Sequence, residues 1–99
     1  MNRILIAAAA IIMTAPLAMA GPIDSACVRS ERGARQPALC GCAQQVANQM
    51  LTRSDQRLAA TFFRDPHRAQ EVRMSKRASD NAFWARYRAF ANAAESYCR

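Results

Sequence analysis

Four cysteines in a chain of 99 residues constrain this sequence more than any other feature. They are Cys27, Cys40, Cys42 and Cys98. An even count in a short exported chain reads as two disulfides. Three pairings are possible, and a Cys40–Cys42 ring would be very small and strained. Helical geometry bears on the other two. Leu39, Ala43, Val46 and Met50 share one face at helical spacing. At 100° per residue, Cys40 and Cys42 fall about 80° to either side of that stripe. They therefore point toward two neighbours, the segment carrying Cys27 and the last helix, which carries Cys98. Cys27–Cys40 with Cys42–Cys98 is the preferred pairing, and the exchange stays open. Such bonds contribute about 2–4 kcal/mol each.

That contribution matters because the core is thin. Beyond residue 20, only 16 residues are Val, Ile, Leu, Met, Phe, Trp or Tyr. So few large apolar side chains exclude a multidomain enzyme, a polytopic membrane protein and a deep enclosed active site. Length allows one domain at most.

Residues 1–20 have the three regions of a secretory signal. Met1-Asn2-Arg3 is a positive start, Ile4 to Met13 is apolar, and Pro16 breaks the helix. Ala18-Met19-Ala20 then offers small residues for cleavage before Gly21. The apolar run is too short to span a bilayer comfortably. The residue immediately after the cleavage site is Gly21 and not Cys, which argues against a lipoprotein anchor. A bacterial periplasmic or secreted protein is expected, with no transmembrane segment once the leader is removed.

Residues 21–36 read as an irregular arm with one helical turn, tied down by Cys27. Residues 37–99 read as the helical domain. Pro37 opens a helix running to about Leu51. Ser54 or Asp55 caps the next, on which Leu58 and Phe62 share one side. Asp65-Pro66 stops it near Arg64 and opens a third, to about Ser75. Ser79 or Asp80 caps the last helix, about Asn81 to Tyr97. Phe83, Tyr87, Phe90, Ala94 and Tyr97 form its stripe, with Trp84 on the flank. The third and fourth helices are also able to run together, since Lys76 to Ala78 breaks nothing. No strand-like alternation is present. The expected fold is an all-α, disulfide-stapled bundle of three to four helices.

One run of motifs has a resemblance. Leu39-Cys40-Gly41-Cys42 is followed by Asp55-Gln56-Arg57, Ala59-Ala60 and Phe62-Phe63. Asp65-Pro66-His67, Phe83-Trp84-Ala85-Arg86-Tyr87, Phe90 and Cys98 complete the pattern. It resembles a family of short exported proteins of alphaproteobacteria, mostly uncharacterised, some of whose members carry the automatic label "arginine transporter". The resemblance covers most of residues 27 to 98. It implies no catalytic residues. For a chain without a spanning segment, the label implies at most a soluble accessory of an arginine uptake system.

The chemistry-bearing motifs are few. A Cys-x-Cys pair such as Cys40-Gly41-Cys42 is able to act as a thiol–disulfide oxidoreductase when one thiolate is exposed. Cys27 and Cys98 supply separate partners, however, and favour structural bonds. Cys40, Cys42, His67, Met50 and Met74 are soft metal ligands, but a single His and oxidised cysteines leave no metal site. No nucleophile stands in a recognised relation to His67, and capping accounts for Asp65 and Asp55. No catalytic residue and no cofactor is assigned.

Charge is the broadest signal. Fourteen Lys and Arg stand against seven Asp and Glu, and only Lys76 is Lys. Arg29, Arg32 and Arg35 cluster in the arm. Guanidinium groups bind carboxylates and phosphates bidentately. The residues assigned to anion or partner binding are Arg57, Arg64, Arg68, Arg73, Arg86 and Arg88, with Trp84 as a contact anchor. The expected partner is an acidic protein or an anionic envelope surface. Nucleic acid is not expected after export. A solvated basic surface serving solubility is the competing reading.

Overall fold

Proline, hydroxyl and carboxylate signals at the helix starts set the architecture. A computed structural model describes residues 21–99; the expected leader, residues 1–20, lies outside them. Six helices follow in order: α1 Pro22–Arg29, α2 Glu31–Ala34, α3 Pro37–Met50, α4 Arg53–Arg64, α5 Pro66–Met74 and α6 Ala78–Tyr97. The described chain is all-α and stapled by two disulfides, as expected.

Pro22, Pro37 and Pro66 each occupy a first helical position, where a missing N–H costs nothing. Thr52, rather than Ser54 or Asp55, caps α4. Its hydroxyl accepts from Asp55 N at 3.0 Å, and the Asp55 carboxylate accepts from Thr52 N at 3.4 Å. Asp65 caps α5, accepting from Arg68 N at 3.4 Å. Ser75 to Arg77 separates α5 from α6, so the option of one continuous helix is not taken. The last helix begins at Ala78 with no side-chain cap, three residues before the expected start.

The segment expected as an irregular arm, 21–36, is helical instead. Pro22 and Asp24 favour an opening turn, and Ile23 and Cys27, four residues apart, are both buried. The sequence offered too short a period for that face to stand out. Ser30 then caps the brief α2, accepting from Gly33 N at 3.1 Å. Gly33 is required by proximity. A Cβ there would collide with the Cys27 carbonyl oxygen and lie 2.9 Å from Cys40 Sγ.

Helix α1 packs on α3 and α4, α3 packs on α6, and α5 bridges α4 and α6. The core gathers Ile23, Ala47, Leu51, Ala59, Phe62, Val72, Phe83 and Phe90. Phe62 stands at its centre. Its ring meets Tyr87 edge-on at 5.2 Å, Phe83 edge-on at 6.0 Å and Trp84 at 6.3 Å. Tyr97 closes the expected α6 stripe but is 81% exposed.

The buried face of α3 is turned by about one residue from the expected stripe. Cys40, Gln44 and Ala47 are buried, while Met50 is exposed. Gln44 causes the shift, because a buried amide is invisible to an apolar pattern. Its Oε1 accepts from Asp24 N at 2.9 Å, capping α1 from another helix. Its Nε2 donates to Gln56 Oε1 at 2.7 Å and to Asn48 Oδ1 at 2.9 Å. Gln56 Nε2 donates onward to the carbonyls of Ala47 and Leu51, both at 3.3 Å. With these bonds, no buried side-chain N or O among the described residues is left without a partner.

Candidate functional site: an arginine notch beside an apolar groove

The faces of α1 and α4 repeat one spacing. Pro22, Ser25, Ala26 and Arg29 lie on α1, and Arg57, Ala60, Thr61 and Arg64 lie on α4. Each set steps by three, four and seven residues, which is one side of a helix. Where the two sides meet, they enclose a notch of about 300 Å³, completed by Ser30 and Phe63. Small residues at Ala26 and Ala60 leave the space open. Arg29, Arg57 and Arg64 all border it, with Ser25, Ser30 and Thr61, and no carboxylate does; the Ser30 and Thr61 hydroxyls already donate to the carbonyls of Cys27 and Leu58. None of these three arginines forms an ion pair among the described residues.

A second, larger hollow adjoins the notch. It is an open groove of about 1330 Å³ between the α2–α3 region, the end of α4 and the last turns of α6. Leu39, Ala43, Phe62, Phe63, Ala91 and Ala94 supply a largely apolar wall. Arg32, Arg35 and Arg99 also line it, against one acid, Glu95. Ser30 and Phe63 border both hollows. Phe63 is 41% exposed, next to the buried Phe62.

No known protein family, curated protein or solved structure matches the chain. What it does is therefore read from its own residues.

The cysteines pair as preferred. Cys27 joins Cys40 and Cys42 joins Cys98, with Cα atoms 5.5 Å and 5.7 Å apart. Cys40 and Cys42 thus face different partners, α1 on one side and the end of α6 on the other. Cys27, Cys42 and Cys98 contribute to the groove, so the staples shape its floor. No cysteine among the described residues is free.

The assigned arginines divide. Arg57 and Arg64 meet in the notch. Arg68 and Arg73 are exposed on α5 and Arg88 on α6, and none of the three borders either hollow. Arg86, assigned to partner binding, is paired within the fold and borders neither hollow. Its Nε donates to Asp55 Oδ2 at 2.8 Å and its Nη2 to Asp55 Oδ1 at 3.0 Å. This fork ties α6 to the first turn of α4. Trp84 is half-buried in contact with Phe62 and Tyr87, and it too lies outside both hollows. Burial pushes the Tyr87 phenol above its ordinary pKa. Among the described residues no His, Cys, Asp or Glu cluster is suited to a metal ion. Nor is any described helix long and apolar enough to cross a membrane.

The Asp55–Arg86 pair has a pH signature. The Arg86 hydrogen bonds, and the Coulomb attraction and Thr52 bonds after them, hold the Asp55 carboxyl below the usual aspartate range despite its burial. A carboxyl depressed in the fold stabilises it above its unfolded pKa, about 4, and loses that contribution as pH falls through the folded value. The thermal midpoint of Asp55→Asn is therefore expected to lie below wild type at neutral pH, with the gap closing below about pH 4. A gap independent of pH would remove the ion pair from the account.

Arg29 was grouped with the arm, and the groove was not anticipated. The signal for the notch was present as matching small-residue spacings in two segments. Nothing in a linear sequence says that those two faces meet.

Proposed function

We propose that this chain is an extracytoplasmic binding or accessory module, not an enzyme, that holds an anionic group of an envelope partner in the notch between α1 and α4. One observation carries the reading: Arg29, Arg57 and Arg64 border one small hollow with no carboxylate. Guanidinium forks on a concave surface select carboxylate or phosphate oxygens, and the neighbouring Ser25 hydroxyl adds one neutral donor. Two disulfides fit an oxidising compartment, in keeping with the secretory leader expected at residues 1–20.

The arginine label of the resembling family is harder to accommodate. A site for free arginine needs carboxylates around the guanidinium, and Glu95 alone lines either hollow. A dithiol function at Cys40 and Cys42 needs the two sulfurs to act together, and they are bonded to separate helices.

The test is binding of an oligoglutamate peptide and of inorganic phosphate at rising salt. Changing Arg29, Arg57 and Arg64 together to Gln is expected to weaken peptide binding by about tenfold or more, a loss of at least 1.4 kcal/mol. Arg68→Gln with Arg73→Gln, which removes charge outside the notch, is expected to change it far less. Equal losses in the two variants would reduce the effect to net charge, and an absence of binding at low salt would end the proposal.

A further inference from the structure

The notch and the groove share a border, and together they have the polarity of an amphiphile. We propose that they hold one monomeric ligand: a single-chain anionic amphiphile, its carboxylate or phosphate head among Arg29, Arg57 and Arg64 and its alkyl chain along the groove. This rests on the notch being an anion site and adds the chemical class of what it binds. Charge complementarity favours this occupant. The cationic end is small, about 300 Å³, and suits one headgroup. The adjoining trough is larger, about 1330 Å³, and its apolar wall of Leu39, Ala43, Phe62, Phe63, Ala91 and Ala94 gives a purely polar acidic peptide nothing to bury. Phe63 stands at the junction, exposed and bordering both hollows, where a chain would leave its head. Arg32, Arg35 and Arg99 along the groove raise the local potential for an anion without filling the trough. The disulfides fix the groove's sides in the free protein, so little ordering is left for binding to demand.

Isothermal titration of the oxidised protein with octanoate, decanoate and laurate, each below its micelle concentration, tests this directly. Each added pair of methylenes is expected to tighten binding by about tenfold. Laurate affinity is expected to fall about tenfold or more in the Arg29, Arg57 and Arg64 to Gln variant, and also in Phe63→Ser, a surface change whose folding far-UV circular dichroism confirms. The Arg68 and Arg73 to Gln control is expected to match wild type. Dodecyl maltoside, with a neutral head, is expected to bind far more weakly than laurate. If laurate fails while oligoglutamate binds, the amphiphile is refuted and the anion notch stands. If neither binds, both are refuted. If laurate binds equally well to the notch variant, or anionic vesicles bind while monomeric laurate does not, the ligand is not held head-in-notch and the proposal is overturned.

Discussion

Replacing Cys42 and Cys98 together by Ala is expected to lower the thermal unfolding midpoint by about 15–30 °C. The bond between them spans 56 residues of sequence, against 13 for Cys27–Cys40. Loop-closure entropy in the unfolded chain grows with the logarithm of that span, giving about 4 kcal/mol for the longer loop and about 3 for the shorter. For a domain this size, each kcal/mol moves the midpoint by about 4–8 °C. The longer bond also ties the start of α3 to the end of α6, a junction with few large apolar side chains of its own. Few domains of this size draw more than about 3–5 kcal/mol from the core alone, so the variant should be substantially unfolded at 37 °C. Circular dichroism melts of the two double-alanine variants check the order. A smaller loss on removing Cys42–Cys98 than on removing Cys27–Cys40 would contradict the entropic account.

The second large effect is expected at Phe62. Phe62→Ala should cost about 3–5 kcal/mol, the range for emptying a buried aromatic site. Phe62 is 7% exposed and its ring touches those of Phe83, Trp84 and Tyr87. Removing it takes the shared partner from three α6 aromatics at once and leaves a void between α4 and α6, whose ends are held by the Arg86–Asp55 fork and the Cys42–Cys98 bond. Phe63→Ala is the internal control. One position further along α4 and 41% exposed, it should cost less than about 1 kcal/mol. Trp84 offers a second readout, because loss of Phe62 opens its ring to water and should shift its emission to the red. Similar melts for the two alanine variants would show that α4 does not seat Phe62 as the centre of the core.

How far these features were legible from residues varies by element. Asp65-Pro66 carried its full meaning locally, since cap and first-turn proline are contacts within three residues. The α6 stripe was legible through Phe83, Tyr87 and Phe90 because large aromatics at helical spacing have few alternatives to burial. The disulfide preference was legible through the divergence of Cys40 and Cys42 on one helix. α1 was not, because eight residues bring two buried positions and no visible period. Gln44 and Gln56 were not, because their burial depends on partners in other segments, Asp24 N and Leu51 O among them. The Arg86 ion pair was not legible for the same reason: its partner Asp55 lies 31 residues away. The notch required two faces to be placed together, which only the packing of α1 on α4 does.

The buried amides have a consequence for how uniquely the chain folds. Apolar contacts are non-directional, and an interior in which Ala47 and Ala59 sit at helix crossings offers little shape to tell one helix register from the next. Before Cys40 and Cys42 are joined to Cys27 and Cys98, sliding α3 by a turn would cost few apolar contacts. It would, however, strand Gln44 and Gln56 away from the N-terminus of α1 and the carbonyls that end α3. A stranded amide in a dry interior costs about 1–3 kcal/mol, and two of them fail together. The alignment of α1, α3 and α4, and with it the meeting of Arg29 with Arg57 and Arg64, is thus set by the covalent staples on α3 together with a few directional bonds that agree with them. The notch inherits part of its shape from two glutamines that do not border it.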